Sequence, residues 1–251
     1  MILPSLVEAN EVADCTSEQV IIVDLRSPDD YIKGHIPNAI NIPPAALSIG
    51  EKPAPGKLPS IDQLASLMQS IGLTADKHVI AYDDEGGGKA CRFLWTLDAV
   101  GHEKFSLLNG GLQAWVNENH EISNKPEESS PSEYAVTFND EHIADKQYIL
   151  DHLEDPSVVI LDVRNKAEYD GTDKRALRGG HIPGAVHLDW TRVIDQQHNL
   201  RIKAEDEINA LYLPLEIMPD KEIITYCQTH HRAAHSYIVL RYLGFTKLRG
   251  Y

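Results

Sequence analysis

Cys227 is the residue of this chain whose surroundings are best suited to chemistry. It follows the apolar, β-branched run Glu222–Tyr226, and the polar sequence Gln-Thr-His-His-Arg leads from it into a segment with helical spacing of apolar residues. A thiolate at the start of a helix is stabilised by backbone N–H groups and by the helix dipole. A cysteine that serves only as core packing would not be followed by such a polar turn. The layout therefore predicts a nucleophile.

The five residues after Cys227 are the predicted substrate-binding residues of this loop. Their backbone N–H groups would surround negative charge on sulfur. A guanidinium at the end of the loop can hold an oxyanion through two hydrogen bonds or can clamp the loop, and both roles stay open. The two adjacent histidines suit loop shaping or electrostatic tuning better than metal binding, and a catalytic acid–base role is the less favoured alternative. No metal or cofactor is predicted. The five residues are Gln228, Thr229, His230, His231 and Arg232.

The same layout occurs a second time without the thiol. The run Val79–Tyr82 leads into Asp83 and a Gly-rich segment, so that an aspartate stands where the other copy has Cys227. The spacing also repeats, with 48 positions from His35 to Asp83 and 46 from His181 to Cys227. The chain is thus a duplicated module with one half predicted to be catalytic. The matching segments are Val20–Arg26 with Val158–Arg164, each ending in Asp-x-Arg, and Gly34–Ala39 with Gly180–Ala185, each containing Gly-His-Ile-Pro.

Strand and helix patterns alternate within each half. This alternation predicts an α/β fold of tandem domains, each a mainly parallel sheet flanked by helices. We expect an inactive domain over residues 1–124, a polar, proline-bearing linker over 125–141 and a catalytic domain over 142–251. Helices that end at a glycine are predicted over Asp62–Ile71, Arg92–Val100 and Arg232–Leu243.

Composition excludes several classes of partner. The formal net charge of −15 disfavours nucleic acid and anionic membranes, so an anionic substrate needs a locally positive pocket. No apolar run reaches the length of a membrane span, and nothing near the N-terminus predicts secretion. Three widely spaced cysteines (Cys15, Cys91 and Cys227) favour a reducing compartment over a disulfide framework. We expect a cytoplasmic monomer.

On these motifs the chain resembles the two-domain rhodanese sulfurtransferases over essentially its whole length. The resemblance rests on the paired Asp-x-Arg and Gly-His-Ile-Pro motifs, on a cysteine loop in the second half alone, and on Asn109–Trp115 closing the first. The loop Cys227–Arg232 is most similar to that of bacterial thiosulfate:cyanide sulfurtransferases. The family resemblance implies that Cys227 takes a sulfane sulfur from thiosulfate or a related small anionic donor. The resulting persulfide would then pass the sulfur to cyanide or another thiophilic acceptor.

Three features depart from the family pattern. The loop lacks the glycines of the mitochondrial-type thiosulfate and mercaptopyruvate enzymes, which leaves donor preference open. Glu168 stands where many members carry a substrate-binding arginine. The repeat also predicts a further Gly-containing turn and a Trp-bearing helix after Tyr251, so the sequence is expected to be truncated at its C-terminus.

A basic insert distinguishes the second half. Asp24 to Gly34 spans 10 positions, whereas Asp162 to Gly180 spans 18, and the insert brings Lys174, Arg175 and Arg178. Arg175 and Arg178 are candidate substrate-binding residues, because a positive loop beside the cysteine would attract an anion; a solvated surface loop is the alternative. Arg201 and Lys203 raise the same question with less weight.

Two other functions compete with sulfur transfer. Phosphatases and arsenate reductases of related fold use a Cys-x5-Arg loop, whereas Cys227 to Arg232 is Cys-x4-Arg. The smaller loop suits a sulfane sulfur better than a tetrahedral phosphoryl group. A non-catalytic sulfur-binding module is the third possibility, and retention of Cys227 in an intact loop argues against it.

Overall fold

The computed structural model describes residues 3–15, 18–52 and 54–251 and contains two α/β units in sequence. The first unit has a parallel five-stranded sheet in the order β1-β5-β4-β2-β3. Its strands are β1 (Leu6–Val7), β2 (Val20–Asp24), β3 (Ala39–Asn41), β4 (His78–Tyr82) and β5 (Phe105–Leu108). Its helices are α1 (Ala9–Ala13), α2 (Pro28–Tyr31), α3 (Ile61–Ser70), α4 (Gly88–Ala99) and α5 (Gly111–Asn117).

The second unit repeats this plan. Its parallel sheet has the order β11-β10-β6-β7, and β8 and β9 form a separate antiparallel ribbon. The strands are β6 (Val158–Asp162), β7 (Val186–His187), β8 (Ile194–Asp195), β9 (Arg201–Ile202), β10 (Glu222–Tyr226) and β11 (Leu248–Gly250). The helices are α6 (Lys146–Asp151), α7 (Lys166–Asp170), α8 (Glu205–Tyr212) and α9 (His231–Tyr242). The predicted tandem α/β architecture is confirmed.

Local sequence explains where these elements begin and end. The β4 strand is buried throughout because helices cover both faces of a parallel sheet, which requires a continuous apolar run. Ser60 and Gln63 form a reciprocal capping box at the start of α3, which ends before Gly72 at φ +71°. The predicted first-half helix from Arg92 instead begins at Gly88, because Gly87 adopts a left-handed conformation that starts the helix earlier.

The repeated Asp-x-Arg motifs anchor neighbouring segments in both units through ionic hydrogen bonds. In the first unit, the Arg26 guanidinium donates to Asp24 (Nη2 to Oδ2, 2.6 Å) and to the Gly34 carbonyl (2.7 Å). Tyr82 donates from its hydroxyl to the same carboxylate (2.6 Å) and accepts from the Ile36 N–H (3.1 Å). The corresponding bonds of the second unit join Asp162, Arg164, Gly180, Tyr226 and Ile182.

The Gly-His-Ile-Pro histidines also serve the fold in both units. The His35 ring stacks on Tyr31 with 3.8 Å between centroids, and Nδ1 lies 2.8 Å from the Tyr31 carbonyl. His181 has the same arrangement with Tyr169, at 3.7 Å between centroids and 2.8 Å to the carbonyl. Each ring thereby fixes the turn to the short helix before it.

The two units share a packed interface. Helix α4 packs against α9, and one cluster of buried apolar side chains spans both units. Asp98 of α4 is buried and accepts from the Tyr237 hydroxyl (2.6 Å) and from Arg241 (2.8 Å to each oxygen), both on α9. Arg201 pairs with Glu8 and Glu118 of the first unit, which favours a role in the domain interface over attraction of a substrate anion.

The predicted linker is bonded to the first unit along much of its length. The Ser132 N–H donates to the Gln69 carbonyl (3.0 Å), and the Gln69 amide donates to the Tyr134 carbonyl (3.0 Å). Further along, the Asn139 N–H donates to the Ala99 carbonyl (2.8 Å). This segment therefore follows the surface of the first unit, and the domain boundaries at 124, 141 and 142 stay a prediction.

Candidate active site

Cys227 lies between β10 and α9, at the carboxyl end of a parallel strand. Helix α9 begins at His231, and His230 before it adopts a left-handed conformation with φ +65°. The cysteine is half-buried. The backbone therefore turns sharply within three residues, which leaves the thiol at the start of α9, where the helix dipole favours an anion.

Arg232 is held by a carboxylate from the second unit. Its Nη1 and Nη2 donate to the two oxygens of Glu168, at 2.6 Å and 3.0 Å. Glu168 is only 1% exposed, and this hydrogen-bonded pair holds its pKa below the ordinary value. Burial opposes charge on Arg232, but the bonds to Glu168 and the interaction with Cys227 raise its pKa above the ordinary value. The guanidinium thus interacts with both Glu168, which braces it, and Cys227.

The basic insert reaches the catalytic loop through its backbone. The Gln228 side-chain amide donates to the Arg175 carbonyl (2.9 Å). The Arg175 guanidinium pairs with Asp173 (2.9 Å), and its charge helps to keep the pKa of Glu168 low. Arg178 is exposed, and no hydrogen bond or ion pair joins it to the loop in the part of the chain that the structure describes. Of the two candidate arginines, the structure brings Arg175 to the site.

Thr229 rests on a loop of the first unit. A Cβ added to Gly56 would lie 2.7 Å from both the Cα and the carbonyl carbon of Thr229, so a glycine is required for this contact. The Thr229 hydroxyl lies 3.3 Å from Nδ1 of His231. Burial, reinforced by the positive charges of Arg92 and Lys89, lowers the pKa of His231 to about 4. His231 is therefore neutral at pH 7.

The His230 side chain points into the domain interface. The ring is 5% exposed, packs 4.0 Å from Trp95 of the first unit and has Nδ1 3.1 Å from the Tyr251 carbonyl. Burial, together with the charge of Arg92, lowers the pKa of His230 well below its ordinary value. A ring in this position shapes the loop, as expected for one of the two histidines. The buried side chain offers a substrate almost no surface, so His230 stays in the predicted substrate-binding set through its backbone N–H alone.

The corresponding loop of the first unit carries its own anion. One carboxylate oxygen of Asp83 accepts from the N–H groups of Glu85 (2.9 Å) and Gly87 (2.8 Å). The other accepts from those of Lys89 (2.8 Å) and Ala90 (2.9 Å). Four inward-pointing N–H groups at a helix N-terminus form an anion cradle, and Asp83 fills it.

Sequence reasoning missed the contribution of the first unit to the catalytic loop. Gly56 and Trp95 contact Thr229 and His230, although each precedes its partner by more than a hundred residues in the chain. No local pattern marks such contacts, because they follow from domain packing. Glu168 was noticed as a departure from a family pattern, but its pairing with Arg232 was not predicted.

Two further findings concern ligands and membranes. Within residues 3–15, 18–52 and 54–251, no group of three or more His, Cys, Asp or Glu side chains is placed to hold a metal ion. None of the helices in those ranges combines the length and apolar character needed to cross a bilayer.

Comparison with known proteins agrees with the duplicated architecture. The rhodanese-like domain family matches residues 8–118 and again residues 145–251. A thiosulfate sulfurtransferase of Azotobacter vinelandii is 39% identical over 250 residues, covering 99% of this chain and 92% of the relative. One of Pseudomonas aeruginosa is 38% identical with the same coverage. The crystal structure of SseA from Escherichia coli, described as a 3-mercaptopyruvate sulfotransferase with the rhodanese fold, matches with a TM-score of 0.88 at 30% identity, covering 99% and 98% of the two chains.

The chain belongs to the rhodanese family and contains two rhodanese domains. The predicted fold is therefore confirmed. The prediction of a sulfurtransferase, rather than a phosphatase or a binding module, is confirmed as well.

Proposed function

We propose that this protein moves a sulfane sulfur from thiosulfate, through a persulfide on Cys227, to cyanide or another small thiophilic acceptor. The observation that carries the proposal is the half-buried Cys227 at the start of α9, beside an arginine that Glu168 orients. The names of the Azotobacter and Pseudomonas relatives support thiosulfate as the donor.

Each half-reaction is a displacement at sulfur. The Cys227 thiolate attacks the outer sulfur of thiosulfate, a new S–S bond forms at Sγ, and the old S–S bond breaks with its electron pair leaving on sulfite. Cyanide then attacks the terminal sulfur of the persulfide and leaves as thiocyanate, which restores the thiolate. Neither step requires a proton from a side chain, which agrees with a neutral His231.

Arg232 supports this cycle in two ways. Its paired contact with Glu168 fixes the end of the loop, and its interaction with Cys227 places positive charge beside the sulfur that carries negative charge in both states. A planar guanidinium can do both, because its five N–H donors are not exhausted by one carboxylate. We include the loop backbone from Gln228 to His231 in the proposed site, with Arg175 as the basic residue at its edge.

Several properties of the proposed enzyme stay predictions. We expect the first domain to transfer no sulfur by itself, since Asp83 replaces the nucleophile. A monomer in the cytoplasm, acting on small anionic donors without nucleic acid or membrane partners, is the state that composition favours.

Mass spectrometry tests the proposal directly. Incubation of the purified protein with thiosulfate should add one sulfur atom to the Cys227 peptide, and cyanide should remove it. Cys227→Ser should abolish both steps, whereas Cys15→Ser and Cys91→Ser should leave them intact, because burial raises the pKa of the Cys91 thiol and Cys15 follows the C-terminal end of α1, where the helix dipole does not favour a thiolate. Persulfide that persists in Cys227→Ser would contradict the assignment of the nucleophile. Aryl phosphate turnover rivalling that with thiosulfate would contradict the proposed reaction.

A further inference from the structure

Among the residues that the structure describes, no carboxylate pairs with the buried guanidinium of Arg92 in the first domain. Arg92 lies on α4, is fully buried, and donates from Nη2 to the carbonyls of Leu47 (2.7 Å) and Gly56 (2.8 Å). Its Nη1 is buried and has no hydrogen-bond partner in the part of the chain that the structure describes. Buried arginines are usually paired with an anion, so this charge needs an explanation beyond packing.

Gly56 and Trp95, two residues that Arg92 contacts, both lie against the loop that begins at Cys227. The Gly56 carbonyl that it holds belongs to the segment on which the Thr229 backbone rests. The Arg92 guanidinium also lies over the Trp95 ring, 4.9 Å from its centroid, and Trp95 packs against His230. Arg92 therefore lies behind two successive residues of the loop that begins at Cys227.

The charge of Arg92 also acts on this loop. Burial lowers the pKa of Arg92 to about 10, and the Cys227 sulfur acts in the opposite direction. The guanidinium is therefore still protonated at pH 7. After burial, the charge of Arg92 is the next largest cause of the lowered pKa of both His230 and His231. A cation that disfavours protonated histidines favours an anionic sulfur at the same place.

We propose that Arg92 is a positioning residue of the sulfurtransferase site, which stabilises the anionic sulfur on Cys227 from the noncatalytic domain and fixes the Gly56 segment behind Thr229. This inference rests on the proposed role of Cys227. It assigns the first domain a contribution to catalysis that does not require a nucleophile of its own.

The pH dependence of Cys227 alkylation in the full-length protein tests the electrostatic part. The rate of reaction with iodoacetamide, followed at the Cys227 peptide by mass spectrometry, reports the thiolate fraction directly. Arg92→Met should raise the midpoint by about one pH unit, which slows alkylation about tenfold below the midpoint. Arg92→Lys should restore most of the shift, because it keeps the charge. The matched control is Tyr237→Phe, which removes a bond to Asp98 in the same interface without changing a charge.

Gly56→Ala tests the positional part and does not depend on the stability of an Arg92 variant. It keeps the guanidinium but forces the Thr229 backbone to move, so persulfide formation from thiosulfate should slow by about tenfold. An unmoved midpoint in Arg92→Met, an equal shift in Tyr237→Phe, or normal persulfide formation in Gly56→Ala would overturn the inference. A wild-type protein that is alkylated normally but takes no sulfur from thiosulfate would instead contradict the proposed function.

Discussion

The two loops at the carboxyl ends of β4 and β10 use the same backbone plan for different anions. In the first domain the anion is part of the chain itself, since the Asp83 carboxylate accepts four N–H bonds from the loop and from α4. In the second domain the corresponding position is Cys227, the proposed nucleophile. A cradle that already holds its own carboxylate cannot bind a substrate anion, so the difference supports the proposal that only the second domain is catalytic.

The loops also differ in length and in the cation that follows. The left-handed residue before the helix is Gly87, four residues after Asp83, but His230, three residues after Cys227. At the second position of its helix the first domain has Lys89, which pairs with Glu85 four residues earlier (2.9 Å). The second has Arg232, which pairs with Glu168 from a different element. The catalytic loop is thus shorter and is braced from outside.

Moving the cysteine from position 227 to position 83 should therefore not give an active first domain, and the resulting loss of activity is the largest effect that we expect. In a Cys227→Ser background, Asp83→Cys should leave sulfur transfer at least about a thousandfold below wild type, because the longer loop with Asp84 and Glu85 presents a differently shaped, negative site. Thiocyanate formation is the measurement, with Cys227→Ser alone as the control. Recovery to within tenfold of wild type would show that loop length is not a requirement.

Loss of the contact between Arg232 and Glu168 should have the next largest effect on activity. Arg232→Ala should reduce kcat/KM for thiosulfate by about a hundredfold, since it removes a charge-assisted contact and frees the end of the loop. Arg232→Lys should recover little, because an ammonium group cannot bond to both Glu168 oxygens and still reach Cys227. Initial rates across thiosulfate concentrations give the result. Full activity in the lysine variant would mean that charge alone matters at this position.

A comparison of donors separates the two roles of Arg232. If it mainly binds the outgoing sulfonate, donors without that group should lose less activity in Arg232→Ala than thiosulfate does. If it mainly braces the loop, as the contact with Glu168 favours, the loss should be equal for both kinds of donor.

The sequence predicts the features that occur in both domains and misses the contacts that only the Cys227 loop makes. Paired Asp-x-Arg motifs, glycine helix ends and the exchange of Asp83 for Cys227 are local patterns, and the structure contains each of them as predicted. The contacts of Arg92, Gly56 and Trp95 with the loop depend on how two domains pack, which no periodicity encodes. The pairing of Glu168 with Arg232 spans 64 positions and is equally invisible from spacing alone.

The contribution of the Glu168–Arg232 pair to the free energy of unfolding should also depend on pH. Glu168 has a lowered pKa in the folded protein, so its pair with Arg232 stabilises the fold fully above the unfolded value near 4.5 and ceases to do so as pH falls through the lower native value. Glu168→Gln should therefore cost about 2 kcal/mol at pH 7 and progressively less below pH 4.5. Urea denaturation across this range checks the sign, and a difference that grows on acidification would contradict it.

The smallest expected effect concerns the Asp-x-Arg hydrogen-bond network, which occurs once in each domain. Tyr82 and Tyr226 precede Asp83 and Cys227, and each donates at 2.6 Å to the carboxylate of its own Asp-x-Arg motif. Tyr82→Phe and Tyr226→Phe should each lower the free energy of unfolding by about 1.5 kcal/mol, because each leaves a buried carboxylate short of one donor.

Turnover should fall in Tyr226→Phe alone, since only that strand leads into the proposed catalytic loop. The fall should be no more than about threefold, because the backbone of β10 is unchanged. Chemical denaturation and thiosulfate turnover on the same preparations give both quantities. Equal stability losses with unequal activity losses would locate the division of labour in the loops, whereas an equal fall in turnover for both variants would show that the first domain supports the nucleophile through its sheet as well.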